Sequence, residues 1–322
     1  MVTLNNNKKI LLLWGDHKDR QTVFKVLSAT GAEVQHAGPD DSQEVIDNRY
    51  RLVVIDYDSV RDEADELLRR ISQEKARPAV LVVTATRDKG DLIRLMSHEV
   101  LTNLVAKNTD VTANEMVVTV QKIMRNDIFG IEKYLTWGVH AYEEVVSSSE
   151  RKDPLLNQLE EYLNSVGCNK RLTNLARGVG DEFFMNAVYN APVGPDGKTK
   201  YATWSRTQPV TLTNGEEVKF RYASDGRVLA LSVIDNFGML ERSTVLSYLR
   251  KCFMRGDDQI DDKQGGAGLG LFYIFESLNQ FIINVSPKRC TEMIGIMDIS
   301  GTYKDFAVRP KSLNIFLQEE RP

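Results

Sequence analysis

The sequence predicts an α/β protein with two domains. Its 322 residues are more than one hydrophobic core normally organises, since a domain takes about 150 residues. In the first third of the chain, short β-branched runs alternate with helical patterns, which is typical of a parallel sheet covered on both faces. The rest of the chain begins with longer helices and then carries paired strands, so we expect a second α/β domain there.

The first domain is predicted to span residues 1–125. Apolar, β-branched runs indicate strands at residues 10–14, 32–36, 52–55, 79–83 and 101–106. Apolar residues at helical spacing indicate helices at residues 19–29, 62–72 and 113–124. Five strands with intervening helices in about 125 residues predict a small doubly wound domain.

Residues 126–154 are predicted to be a helical connector, because a weaker helical pattern continues past the first domain. The segment is rich in bulky residues, including Trp137 and Tyr142, which a loose linker would not carry. We therefore expect these residues to be packed against one domain, the other, or a second copy of the chain. The best candidate for a flexible link is residues 147–154.

Residues 155–322 are predicted to form the second domain. Helical patterns cover residues 155–166, 171–190 and 271–279, and strand patterns cover residues 218–222, 228–234, 281–285, 293–299 and 313–318. The turn at residues 224–227 joins the first two strands as a hairpin. Residues 193–216 are rich in Gly, Pro, Thr and Asn and are expected to form a loop or loose hairpin.

The composition excludes several classes of function. The chain is 42% apolar and 27% charged with a net charge of −4, so we expect an ordinary globular protein that binds neither nucleic acid nor a membrane. No apolar run approaches the roughly 18 residues of a membrane span, and the polar first residues give no export signal. The three cysteines have no metal-ligand spacing, which favours reduced thiols and a cytoplasmic location.

The first candidate site motif lies in the predicted helix at residues 171–190. Glu182 and Asn186 are four residues apart and therefore share a helix face. The Glu182 carboxylate could act as a base toward a water or hydroxyl, and the Asn186 side chain could supply an oxygen to Mg²⁺. The alternative is an ordinary solvated helix face.

The second motif is the acid that ends the predicted strand at residues 228–234. The Asp235 carboxylate could accept a hydrogen bond from an adenine amino group, and Gly238 would allow the backbone to approach the base. The alternative is an acid that only caps a turn.

The third motif is the glycine run 265–270, which precedes an apolar helix. Gly266, Gly268, Leu269 and Gly270 could present backbone N–H groups to phosphate, and the helix N-terminus adds partial positive charge. The run lacks the Lys-Ser/Thr of a P-loop, and the alternative is a flexible hinge.

In order and spacing, these three motifs resemble the N, G1 and G2 boxes of the GHKL ATPases, the family that includes sensor histidine kinases and anti-sigma-factor serine kinases. The resemblance covers about residues 150–320, and Phe253 and its neighbours also resemble the phenylalanine box of histidine kinases. It implies an α/β sandwich that binds ATP and Mg²⁺ beneath a lid at residues 257–265.

The chain departs from this family at three positions. Phe237 and Met239 stand where the G1 box normally has glycines, so either side chain could crowd the adenine pocket. Tyr189 stands where histidine kinases often carry a basic residue. These departures predict weak nucleotide binding and put transfer chemistry in doubt.

The first domain resembles a response-regulator receiver, a flavodoxin-like fold, over about residues 8–125. Asp56 stands at the phosphoacceptor position of this family, Thr84 at the position of its switch hydroxyl and Lys107 at the position of its lysine. An aspartate at the carboxyl edge of a parallel sheet is a reasonable nucleophile, and a lysine there can neutralise phosphoryl oxygens.

The metal site of a receiver is missing from this pattern. Trp14 and Gly15 replace the usual acidic pair, with only Asp16 beside them, and Asn108 replaces the usual proline after the lysine. Without the pair Mg²⁺ has few ligands, so we expect a degenerate receiver that is phosphorylated poorly. The alternative for Asp56 is a strand-end acid held by Lys107.

Together these patterns predict a bacterial signalling protein in which a degenerate receiver regulates a GHKL domain. A short helix followed by the helix that carries Glu182 and Asn186 is more similar to the anti-sigma kinases than to the histidine kinases. This resemblance implies phosphorylation of Ser or Thr on a protein partner. One alternative is a non-catalytic interaction module. Another is an atypical histidine kinase that uses His140 or a histidine of a separate protein, although His140 is the only histidine between the domains and lacks a suitable helix. We also consider a homodimer possible.

Overall fold

The computed structural model describes residues 9–15, 17–38, 49–74, 77–107, 110–213, 215–255 and 266–319. Within these residues the chain forms two compact units. The first contains residues up to 127 together with 249–255 and 312–314, and the second contains residues 128–248, 266–311 and 315–319. Both units combine helices with a β-sheet, which confirms the α/β class.

The first unit contains a parallel sheet in the order β2-β1-β3-β4-β5. Its strands are β1 (Lys9–Leu13), β2 (Glu33–Ala37), β3 (Leu52–Asp56), β4 (Ala79–Thr84) and β5 (Asn103–Ala106). Its helices are α1 (His17–Ser28), α2 (Ala64–Gln73), α3 (Lys89–Leu95) and α4 (Asp110–Arg125). The five predicted strands are confirmed, and α3 was not predicted.

Burial explains why these runs form the sheet. Every residue of β3 is buried, so this central strand is covered on both faces, as the continuous apolar run predicted. Helix α2 buries Leu67, Leu68 and Ile71 on one face. Helix α3 begins where the Asp88 side chain accepts a hydrogen bond from the Asp91 backbone N–H, a local cap in a stretch with little helical periodicity.

The second unit contains an antiparallel sheet in the order β6-β7-β8-β10-β9. Its strands are β6 (Tyr142–Val146), β7 (Val218–Ser224), β8 (Val228–Asp235), β9 (Gln280–Ser286) and β10 (Cys290–Asp298). The remaining helices of the chain are α5 (Lys152–Ser165), α6 (Lys170–Met185), α7 (Arg242–Arg255), α8 (Gly266–Glu276) and α9 (Tyr303–Val308), and the last strand is β11 (Ser312–Leu317). Residues 249–255 of α7 and 312–314 of β11 belong to the first unit.

Helix α6 is the central support of the second unit. It packs against α5 and α8 and contacts β8 and β10. Beyond Met185 it continues as a π-helical turn, Asn186–Asn190. This turn carries the end of the predicted helix toward the end of β8. None of the described helices has the length and apolar character that a membrane crossing requires.

The segment predicted as a helical connector has a different structure. It contains a short 3-10 helix, Ile131–Tyr134, and then strand β6, which pairs with β7. Ile131 is buried as expected, whereas Trp137 is 98% exposed and Tyr142 is 49% exposed. The helical prediction was wrong because a partner strand more than 70 residues away decides the conformation of β6.

Residues 312–314, the beginning of β11, belong to the first unit. Leu313 and Asn314 pair antiparallel with β5. The Ser312 hydroxyl and the Asn314 amide donate hydrogen bonds of 3.0 and 2.9 Å to the Glu115 carboxyl on α4, which is buried. This burial raises the pKa of Glu115 to about 8 despite the two hydrogen bonds.

Candidate functional site

A cavity of about 430 Å³ lies in the second unit at the end of helix α6. This volume is in the range of small-molecule sites. Residues from separate parts of the chain line it, and those used below are Asn186, Asn190, Asp235, Met239, Leu271 and Thr291. The wall therefore combines apolar side chains with a few polar groups, as ligand sites usually do.

The cavity brings together residues from all three predicted motifs. Asn186 represents the first, Asp235 the second and Leu271 the end of the third. Glu182 and Gly238 are not among the described lining residues, although each is close in sequence to one that is. Of the two unusual residues after Asp235, Met239 lines the cavity and Phe237 is not in the described lining.

Asp235 is buried at the end of β8 and organises the turn that follows. Its Oδ1 atom accepts hydrogen bonds from the Phe237 and Gly238 backbone N–H groups, at 2.9 and 3.3 Å. Burial raises the pKa of Asp235 to about 6, although these bonds and the hydrogen bonds with Thr291 act in the opposite direction. The carboxyl can therefore change its protonation state near neutral pH.

Gly238 is required by the backbone in this turn. Its φ angle is +61°, and an added β-carbon would collide with the Ser286 carbonyl oxygen and approach the Arg289 and Cys290 nitrogens. The predicted close approach of backbone at Gly238 is therefore an approach to the β9–β10 connection. It fixes the turn beside the cavity.

Asn186 lies at the start of the π-helical turn, where its amide is half satisfied. Its Oδ1 atom accepts a hydrogen bond of 2.8 Å from the Asn190 side chain. Its Nδ2 atom is buried and has no hydrogen-bond partner among the described residues. An unpaired buried donor costs free energy, so a ligand that offers a hydrogen-bond acceptor to Asn186 Nδ2 would be favoured at this wall.

Glu182 packs against helix α8 at Gly270. The carboxylate fills the space that a β-carbon at Gly270 would need. Burial raises the pKa of Glu182, the charge of Asp181 raises it further, and Arg206 and Lys152 act in the opposite direction. A carboxyl with a raised pKa is better suited to accept a proton than an ordinary surface glutamate.

The described part of the glycine run is helical. Helix α8 begins at Gly266, whereas the sequence placed the helix start at residue 271. Gly266, Gly268 and Leu269 are thus in the first helical turn, whose N–H groups have no acceptor within the helix. Gly265 and the predicted lid at residues 257–265 lie outside the described residues.

A loop that sequence reasoning did not connect with the site also lines the cavity. Val193, Gly197, Thr199 and Ala202 are in the lining. The loop contains an isolated bridge between Val193 and Thr199, as the predicted loose hairpin allowed. Its composition indicated only a loop, because its position depends on contacts with distant residues.

The residues present fit a nucleotide with its metal ion better than a metal ion alone. Among the described residues, no cluster of three or more His, Cys, Asp or Glu side chains could hold a metal. Asn186 Oδ1 keeps one free lone pair, and Mg²⁺ commonly uses one or two protein ligands plus phosphate oxygens. The unpaired Asn186 Nδ2 also favours a ligand that carries acceptor oxygens.

The first unit brings the three predicted receiver residues to one sheet edge. Asp56 is fully buried, and the Lys107 ammonium lies 2.9 Å from its Oδ1 atom. The Lys107 backbone N–H donates to the Thr84 carbonyl oxygen. The Lys107 ammonium also lies 4.9 Å from the centre of the Trp14 ring, so Trp14 covers the edge where acidic residues were missing. Asp16 and Asn108 lie outside the described residues.

Asp58, which was not identified from the sequence, accepts hydrogen bonds from groups at this sheet edge. Its carboxylate accepts a hydrogen bond of 2.6 Å from the Thr84 hydroxyl and one of 3.0 Å from the Ala85 N–H. The Lys107 ammonium lies 3.9 Å from Asp58. Burial lowers the pKa of Lys107, but its hydrogen bond to Asp56 and the charges of nearby aspartates outweigh that effect, and the pKa is raised.

His140 lies in an irregular segment just before β6 and is exposed. Its ring makes an edge contact with Tyr142. It is not on a helix, so it lacks the setting of a phosphoacceptor histidine.

No family model matches the chain, and no curated protein matches it either.

Proposed function

We propose that the second unit is an ATP-binding domain of the GHKL type. The observation that carries the proposal is that Asn186, Asp235 and Leu271 line one cavity. These residues come from three motifs whose chemistry and spacing in the sequence predict a nucleotide pocket. An antiparallel sheet with helices α5, α6 and α8 is compatible with the α/β sandwich that the resemblance implies.

In this proposal each motif has a defined task. The Asp235 carboxylate accepts a hydrogen bond from the adenine amino group, and Asn186 Oδ1 would be one ligand of Mg²⁺, which would neutralise phosphate charge when bound. The N–H groups at the start of α8, from Gly266 to Leu269, bind phosphate oxygens. Gly270 keeps α8 close to Glu182.

We propose that the first unit is a degenerate receiver that regulates the ATP-binding domain. Its parallel order β2-β1-β3-β4-β5 is the order of flavodoxin-like folds. The position of Asp56 next to Lys107 supports the resemblance. The engagement of Thr84 and Ala85 by Asp58 supports the loss of phosphorylation.

The proposed reaction is phosphorylation of a Ser or Thr on a protein partner in the cytoplasm, with Glu182 as the base. One observation favours the non-catalytic alternative, in which ATP only sets the shape of a binding surface. The Glu182 carboxylate packs against Gly270 of α8 and is not in the described lining of the cavity. The oligomeric state, including a homodimer, is a separate question for each alternative.

Calorimetric titration of the whole protein with ATP and Mg²⁺ tests the proposal. We expect saturable binding, weakened when Mg²⁺ is removed with a chelator. The variant Arg227→Gln, an exposed change at the opposite end of β8 from Asp235 and outside the described lining, serves as a control that leaves the site intact. Absence of binding at millimolar ATP would overturn the assignment. Transfer to a partner is tested separately, with Glu182→Gln as the variant that retains binding.

A further inference from the structure

The loop beside the cavity is tied to the π-helical turn through Tyr189. The Tyr189 hydroxyl donates to the Gln208 carbonyl oxygen at 2.9 Å and approaches the Arg206 carbonyl oxygen at 3.3 Å. Tyr189 itself is buried. The Arg206 and Gln208 carbonyls are thereby held by Tyr189, which is next in sequence to the cavity-lining Asn190.

The Arg206 side chain points from this anchored loop toward the end of α6. Its guanidinium lies 5.3 Å from the centre of the Tyr189 ring, a cation–π distance. Its terminal nitrogens lie 3.5 Å from the Met185 carbonyl oxygen and 3.4 Å from Asn190 Oδ1. These contacts are long, so the guanidinium retains donors that a better acceptor could use.

A chain of polar contacts connects Arg206 to Asn186, whose Nδ2 atom is the unpaired donor in the cavity wall. Arg206 contacts Asn190, Asn190 donates to Asn186 Oδ1, and Asn186 Nδ2 is the buried donor with no partner among the described residues. The Asn190 amide, which lines the cavity, thus links the Arg206 guanidinium to Asn186, and Arg206 itself is next to the described lining and not part of it. The other cation that acts on Glu182, Lys152, lies 2.9 Å from the Asp181 carboxylate and is already paired.

We propose that Arg206 and Asn186 Nδ2 together bind a phosphate group of the nucleotide. This inference rests on the proposed function. The structure places a cation from a distant loop against Tyr189 and beside the cavity-lining Asn190. Arg206 then makes the site respond to the charge of the ligand, and a nucleoside without phosphates gains nothing from it.

The test measures the affinity of the whole protein for ATP, ADP and adenosine by calorimetry, in the wild type and in Arg206→Gln. A lost charge-assisted hydrogen bond corresponds to a loss of roughly 10- to 100-fold in ATP affinity. We expect that loss for ATP and a change of less than about threefold for adenosine. Arg206→Lys should restore part of the ATP affinity, because it restores charge without the planar fork.

Arg227→Gln is the matched control. Arg227 is also exposed and lies in the β7–β8 turn, at the opposite end of β8 from Asp235, and its loss changes the net charge equally. We expect unchanged affinity for all three ligands in this variant.

Two results would overturn the inference while leaving the ATP site intact. One is an unchanged ATP affinity in Arg206→Gln. The other is an equal loss for ATP and adenosine, which would show that Arg206 only holds the loop in place. If the wild type binds none of the ligands, the ATP site itself is refuted and the phosphate contact with it. Because Arg206 is exposed, the urea midpoint of the variant should match the wild type, and this verifies that it folds.

Discussion

The Glu182 carboxylate occupies the space beside Gly270 in which any other residue would place its β-carbon. Glycine inside a helix costs about 1 kcal/mol relative to alanine, so Gly270 lowers the stability of α8 but lets the helix approach Glu182 closely. The contact links the proposed base to the helix whose first turn is proposed to bind phosphate.

The contact predicts a coupling between the two positions. Gly270→Ala should stabilise a Glu182→Ala background by about 1 kcal/mol, because only the helix preference remains there. In the wild type the same change must displace the carboxylate, so the gain should be cancelled or reversed. Urea denaturation of the four proteins in this double-mutant cycle measures the coupling. Additive effects would mean that Glu182 and Gly270 do not interact.

The turn at Gly238 predicts an unequal pair of glycine substitutions. Gly226 also has a positive φ, but an added β-carbon there would meet nothing within 4 Å. Gly226→Ala should therefore cost about 1–2 kcal/mol, for backbone strain alone. Gly238→Ala adds a collision with the Ser286 carbonyl and should cost more than about 3 kcal/mol. Equal losses in the free energy of unfolding would contradict the close approach.

The raised pKa of Asp235 predicts a pH-dependent ATP affinity. The ionised carboxylate is the form that accepts a hydrogen bond from the adenine amino group, so ATP binding should weaken as pH falls through about 6. Asp235→Asn keeps an acceptor for the turn and should lose about 1–3 kcal/mol of binding near neutral pH. ATP has its own protonation, which affects both proteins, so the informative quantity is their difference across pH. If the difference in ATP affinity between the wild type and Asp235→Asn stays constant across pH, Asp235 does not recognise adenine.

The edge of the first unit predicts resistance to phosphorylation. Asp58 already engages Thr84 and Ala85, and Trp14 stands where metal-binding acids are expected. Incubation with acetyl phosphate and Mg²⁺ should leave the intact mass of the protein unchanged. An added phosphate that disappears in Asp56→Asn would show that the site is functional after all.

The buried carboxyl of Glu115 predicts that stability falls as pH rises. Its pKa is about 8 in the folded protein and 4.5 as the ordinary value. Between these values the folded state holds a proton that the unfolded state has released. Stability from this group is therefore complete below 4.5 and is lost as pH rises toward 8.

Glu115→Gln should remove this dependence, because an amide can serve both Ser312 and Asn314 without ionising. At about pH 8 the variant should be more stable than the wild type by roughly 3–5 kcal/mol, with little difference at about pH 5. Urea denaturation at the two pH values measures this, and Glu63→Gln, an exposed change, is the control. A constant difference at the two pH values would mean that Glu115 is ionised in the folded protein.

The strands of the first unit could be predicted from the sequence, whereas its helix α3, the membership of residues 312–314 and several elements of the second unit could not. In the first, apolar runs and helical periodicity are local signals, and they located all five strands. In the second, β6 was missed because its conformation depends on its distant partner β7. Helix α7 was also not predicted, although Val245, Leu249 and Phe253 are four residues apart and buried.

The candidate site divides in the same way. The residues at Asn186, Asp235 and Leu271 could be predicted because their chemistry and spacing are visible in the chain. The contributions of Asp58 and Arg206 could not, since each depends on which donors or acceptors the fold brings near it. An exposed arginine in a polar loop carries no signal until the loop has a position.

The pairing of residues 312–314 with β5 means that the first unit is not a continuous piece of the chain. A protein truncated at residue 127 would keep every predicted element of that unit but lack Ser312 and Asn314. Glu115 would then have a buried carboxyl without its donors, and β5 would present an open edge, the kind of strand that recruits other chains into aggregates. Folding of this unit can therefore be completed only after residues 312–314 have left the ribosome.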